Sequence, residues 1–193
     1  MEYQKLAGIT MIVGFVLVMI ASLIAPNEVY SAPDSQTRLE IIAQNRSRWQ
    51  ATNLIWVVGS LVTAVGLLFL TLGLERQQSP WIPYIATATF AIGSVAWAIY
   101  LYQRIGDPAD NLYTTPPPLL SMVFAWATIA GLALYGVAFL QGSYPNWLGY
   151  TLLVAMGLLV VGLVFFFDRV YASFPPQFFN LLTLIMGIVA LQL

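Results

Sequence analysis

The stretch LLVAMGLLVVGLVFFF, residues 152–167, decides the fold. It is apolar throughout and does not alternate, whereas a membrane β-barrel strand alternates polar and apolar residues over segments of about ten. A run of this kind reads as a helix, because lipid offers no partner for unpaired backbone groups and a helix satisfies its own. Asp168 and Arg169 follow the run directly. They mark its edge: a terminal arginine can reach the headgroups, and ionisable residues point to function chiefly when they lie within a span.

The rest of the chain has the same character. Of 193 residues, 60% are hydrophobic and 8% charged, and the mean hydropathy is +0.81. A soluble domain carries about 25% charged residues because its surface faces water. This chain cannot cover a water-facing surface, so most of its exterior must face lipid. The net charge of −1 provides no footprint for nucleic acid. Cysteine and histidine are both absent, which removes disulfides, thiolate nucleophiles and the usual zinc, copper and haem ligands. No G-x-S-x-G, P-loop or H-E-x-x-H motif occurs. We therefore expect no metal, no cofactor and no catalytic residue.

The runs 6–27, 49–74, 77–103, 111–167 and 170–193 contain no Asp, Glu, Lys or Arg. A crossing needs about 20 apolar residues. The fourth run is long enough for two, with QGSYPNW (141–147) as a Gly/Pro turn between them. The expectation is an all-α, polytopic six-transmembrane-helix bundle forming a single integral membrane domain over 1–193, with helices near 5–25, 50–74, 81–104, 117–140, 146–168 and 174–193. The first run exceeds the 7–15 residues of a signal-peptide core, so it reads as a true helix.

IWVVGSLVTAVGLLFL (55–70) and AWATIAGLALYGVAFL (125–140) share Trp at their second position and Gly ten residues later. Each is followed by a Pro-containing turn and W-x-x-Y, then by an aromatic run with arginine, AIYLYQR (98–104) and VFFFDR (164–169). The second and third helices thus read as a parallel tandem copy of the fourth and fifth, a known way to build membrane bundles. Gly59, Gly66 and Gly73 recur at seven-residue spacing, the signature of a seam along which two helix backbones approach closely.

The connection 26–49 carries a helix start at Pro33–Asp34–Ser35. From there Leu39, Ile42, Arg46, Trp49, Asn53 and Trp56 share one helical face. An unbroken helix over 36–74 would be about 58 Å long, more than the bilayer. The chain is expected to bend near Asn45–Ser47, leaving 36–49 as an amphipathic segment in the interface, either a clamp or a lid. With six spans, Arg38, Arg46, Arg48, Arg104 and Arg169 fall on one side and Lys5 and Arg76 on the other. The positive-inside rule then places both termini outside.

The candidate ligand-binding residues are Arg46, Trp49, Asn53, Arg104, Asp168 and Arg169. Arginine holds anionic headgroups by paired hydrogen bonds, and Arg46, Arg104 and Arg169 are expected to converge beneath the 36–49 segment, with Trp49 as apolar wall. The role read from these residues is non-catalytic: a membrane subunit, or a binder of lipid or another apolar ligand. Partners would be membrane lipids, protein subunits or a second copy of the chain. A small-solute facilitator is the alternative, its path lined by Asn53, Thr63, Ser94, Thr128 and Asn180. An interfacial enzyme working through Asp and Arg comes third.

KLAGITMIVGFVLVMIASLIAP (5–26) and YPNWLGYTLLVAMG (144–157) resemble small multi-pass bacterial integral membrane proteins grouped as a domain-of-unknown-function family. The resemblance implies a bacterial inner (plasma) membrane. It carries over no activity and no site residue.

Overall fold

Where the chain is described, its uncharged runs lie on helices. A computed structural model describes residues 2–74, 81–106, 119–142, 144–165 and 177–193. These form α1 (Glu2–Ile24), α2 (Glu28–Ser31), α3 (Ser35–Gln44), α4 (Arg46–Gly73), α5 (Trp81–Gly106), α6 (Leu119–Leu140), α7 (Asn146–Phe165) and α8 (Gln177–Gln192). No strand occurs among the described residues. The fold is an all-helical bundle.

α1 packs between α4 and α8, α5 between α4 and α6, and α7 against α6. Neighbours run antiparallel. Thus Gly73 of α4 lies against Gln4 of α1 and Gly59 against Val18, while Gly187 of α8 meets Met11 of α1. α8 also reaches α6, where Phe179 meets Phe124 edge to face at 5.6 Å. The ends Ile24, Arg46, Gly106, Leu119 and Gln177 therefore share one side of the bundle, called here the Trp49 side.

The glycine seam lies where the spacing places it. Gly59, Gly66 and Gly73 all face α1, and a Cβ on Gly66 would stand 2.6 Å from Met11 Cγ and 3.0 Å from Met11 N. Between helices in lipid the hydrophobic effect contributes little, so close backbone packing of this kind supplies the attraction. The glycines paired by the repeat, however, have different partners. Gly66 meets α1, whereas Gly136 packs on Gly149 of α7. Trp56 is buried and donates to Val18 O at 3.3 Å, while Trp126 is exposed.

The connection between α1 and α4 breaks at Asn45, whose φ of −115° and ψ of 30° are not helical. Asp34 caps α3, its carboxylate accepting from Thr37 N at 2.8 Å and from Thr37 Oγ1 at 2.9 Å. α4 starts at Arg46 rather than near residue 50. Its extra turn is held by side chains that tie down other helices: Arg48 donates from Nε to Ile24 O at 3.2 Å and from Nη2 to Ala25 O at 3.3 Å, covering carbonyls at the end of α1.

Outward faces are apolar: Ile92, Val154, Leu158 and Val164 are exposed along α5 and α7. Tyr3, Trp81, Tyr84, Trp147 and Tyr150 are exposed at the end opposite Trp49, an aromatic belt like those at membrane–water boundaries. Five helices, α1 and α4 to α7, are long and apolar enough to cross a membrane. The chain is a multi-pass integral membrane protein. α8, with 16 residues, is shorter, about 24 Å at 1.5 Å per residue.

Candidate functional site

The site lies at the Trp49 side, where the start of α4 meets the end of α5. Trp49, 1% exposed, donates from its indole Nε1 to Arg104 O at 3.1 Å. That bond occupies a carbonyl at the C-terminal end of α5 that no further helical turn would satisfy. The same indole carries the guanidinium of Arg104 on its face, with Cζ 4.8 Å from the ring centroid. Tyr100, one turn back along α5, presents its ring to the guanidinium at 5.5 Å. Two aromatic faces and the negative end of the α5 dipole thus surround one cation.

Arg104 is 5% exposed. Its Nε is buried without a hydrogen-bond partner, and no carboxylate pairs with it among the described residues. A buried charge of this kind requires a counter-charge or further hydrogen bonds, because desolvation costs several kcal/mol, by order of magnitude. One turn beyond Trp49 on α4, Asn53 donates from Nδ2 to Trp49 O at 2.8 Å, leaving its Oδ1 without a partner. Above Trp49, Val29 of α2 and Ile41 and Ile42 of α3 form a small apolar cluster with the indole. The α2–α3 segment roofs the site.

Of the residues read as candidates, Trp49 and Arg104 come together, and Asn53 follows one turn along α4, bonded to the Trp49 carbonyl. Arg46, the first residue of α4, is exposed. Asp168 and Arg169 lie outside the described residues, as does the convergence of Arg169 with Arg104 and the enzyme reading built on that pair. Two other arginines on this side are taken up by main-chain carbonyls: Arg48 at α1, and Arg38, whose Nη2 donates to Ala32 O at 3.1 Å.

The residues named for a solute path divide. Asn53, Ser94 and Thr128 are buried with oxygens that find no partner. Thr63 instead bonds Gly59 O at 2.9 Å on the α1 seam, and Asn180 is buried on α8.

Two features escaped the sequence reading. Tyr100 stands four residues before Arg104, a spacing that makes them neighbours on a helix. The second is a knot of hydroxyls joining α4, α5 and α6. Thr71 Oγ1 and Thr87 Oγ1 lie 2.6 Å apart, and Tyr135 Oη is 2.8 Å from the first and 2.6 Å from the second. Tyr135 Oη is also 2.9 Å from Leu67 O, and Pro83 O lies 3.1 and 3.0 Å from the Thr71 and Thr87 hydroxyls, so three protons are shared among six contacts. The hydroxyls satisfy one another with no base beside them, so the knot is a staple. A tyrosine midway along an apolar run was the available signal, since a buried phenol needs a partner.

No group of three His, Cys, Asp or Glu side chains that could hold a metal occurs among the described residues. The chain matches no protein-family profile, no curated protein and no solved structure.

Proposed function

We propose that this chain is a six-span, non-catalytic membrane protein that holds a lipid with an anionic headgroup at Arg104, beneath the α2–α3 roof. One observation carries the reading: a buried guanidinium whose Nε has no partner and which meets no carboxylate among the described residues. A phosphate diester supplies what is missing. It offers negative charge and acceptor oxygens to a planar donor fork, and its acyl chains suit the aromatic and aliphatic surroundings of Trp49, Tyr100 and Ile42.

The sixth crossing is supported by the antiparallel packing of α8 on α1. Arg38, Arg46, Arg48 and Arg104 share the Trp49 side, and the positive-inside rule makes that side cytoplasmic, with both termini outside. The bacterial plasma membrane is the setting suggested by the sequence resemblance.

Native mass spectrometry of protein released from bilayers containing equal phosphatidylglycerol and phosphatidylcholine tests the reading. Wild type should retain phosphatidylglycerol, Arg104→Gln should lose it, and the exposed-site variant Arg46→Gln should keep it. Equal retention by wild type and a folded Arg104→Gln variant would defeat the proposal.

A further inference from the structure

The knot fixes which faces of three helices point at one another. Thr71, Thr87 and Tyr135 converge on one point, and an α-helix turns by about 100° per residue. On α4, Asn53 precedes Thr71 by five whole turns, and Ser60 is within about 20° of the same face. Ser94 on α5 and Thr128 on α6 each lie one heptad from a knot residue, again within about 20° of the inward face. The contact geometry agrees, since a Cβ on Gly93, next to Ser94, would stand 3.0 Å from Thr128 Oγ1. Four polar side chains therefore line the α4–α5–α6 seam on the Trp49 side of the knot.

These groups are more than nine-tenths buried: Asn53 and Thr128 at 0%, Ser94 at 1% and Ser60 at 8% exposed. Asn53 Oδ1, Ser94 Oγ and Thr128 Oγ1 have no hydrogen-bond partner. A helical Ser or Thr ordinarily bonds the carbonyl one turn back. Thr10, Ser22 and Thr63 do so here, onto Leu6, Val18 and Gly59. Ser94 and Thr128 do not. A buried polar atom without a protein partner is costly and is commonly met by an internal water with two to four such partners.

We infer that the α4–α5–α6 seam binds water within the membrane, as a short hydrogen-bonded file from Asn53 past Ser60 to Ser94 and Thr128. The file is closed at its far end by the Thr71–Thr87–Tyr135 knot, whose hydroxyls are already satisfied. Its outer end lies beside Trp49, with Arg104 over the indole, and that cation disfavours entry of positive ions. The seam is a dead-ended hydrated recess, and it stands independently of what Arg104 holds.

The chain has no cysteine, so a single thiol can report its own solvation. Ser94→Cys and Thr128→Cys are close to isosteric, and the S–H stretch falls where proteins absorb little. The probe is D2O: infrared spectra of each variant in bilayers follow S–H to S–D exchange after transfer. Leu152→Cys and Met186→Cys, at equally buried apolar positions, provide the reference, since apolar cavities stay dry. Exchange at 94 and 128 should be faster than the reference by on the order of tenfold or more. Rates equal to the reference at both positions would overturn the inference. Should Ser94→Cys fail to fold, Thr128→Cys decides the question alone.

Discussion

Trp49 holds both ends of Arg104: its indole N–H donates to the Arg104 carbonyl at 3.1 Å, and its ring carries the guanidinium at 4.8 Å. A substitution can separate the two links. Trp49→Phe keeps an aromatic face and loses the donor, which should cost about 1 kcal/mol. Trp49→Leu loses the face as well and should cost about 1 kcal/mol more. Chemical unfolding in detergent measures both, and equal stability of the two variants would show that the cation gains nothing from the ring.

Glycines should differ by position. Gly66→Ala drives a Cβ against Met11, including its backbone nitrogen, and should destabilise by about 1–3 kcal/mol. A Cβ on Gly157 meets nothing within 4 Å, so Gly157→Ala should be neutral or stabilise by up to about 1 kcal/mol through helix propensity. Thermal unfolding of the two variants side by side reads the contrast. Tolerance of Gly66→Ala would remove the close α1–α4 seam.

Tyr135→Phe takes one hydroxyl from the knot and should cost about 1–2 kcal/mol. Thr87→Val should cost a similar amount, and the double variant less than the sum, with a coupling of about 0.5–3 kcal/mol. A strictly additive double variant would mean that the two hydroxyls do not share protons.

Acid should loosen α3 before the spans. Hydrogen bonds from Thr37 hold the Asp34 carboxyl below its ordinary 3.8. A carboxyl with a lowered native pKa stabilises above its unfolded value, and that contribution fades as pH falls through the native one. Amide exchange at Thr37 and Arg38 should therefore stay protected near pH 5 and, corrected for intrinsic rates, lose protection well below pH 4, by order of magnitude. Asp34→Ala should lose that protection at every pH. Protection in that variant matching wild type at pH 5 would rule out the cap.

Single cysteines at Gln44 and Gln141, both exposed and at opposite ends of the bundle, should react with an impermeant reagent from opposite faces of a sealed vesicle. Labelling from the same face would contradict the alternation of crossings.

Much of this architecture was legible in the sequence because it rests on local signals. Uncharged length gave the helices, Asp34 before Ser35 gave the α3 start, and the heptad of Gly59, Gly66 and Gly73 gave a seam without naming α1 as its partner. What stayed hidden depends on register between distant segments. Trp49 and Arg104 were legible as neighbours, but the bond from the indole to the Arg104 carbonyl, 55 positions away, and the Tyr100 ring on the guanidinium were not. The knot needs three separated helices to be set in rotation and height together. The paired residues of the two halves show the limit from the other direction: Trp56 and Trp126 match in sequence, yet are 8% and 40% exposed, because their helices have different neighbours.

The most direct test is a structure of the protein in phosphatidylglycerol-containing nanodiscs, read at Arg104. The account predicts a lipid phosphate within hydrogen-bond reach of the guanidinium, about 3 Å from Nε or a terminal nitrogen, beneath Val29 and Ile42. A carboxylate of Asp107, Asp110 or Asp168 in that place, with lipid excluded, would contradict it.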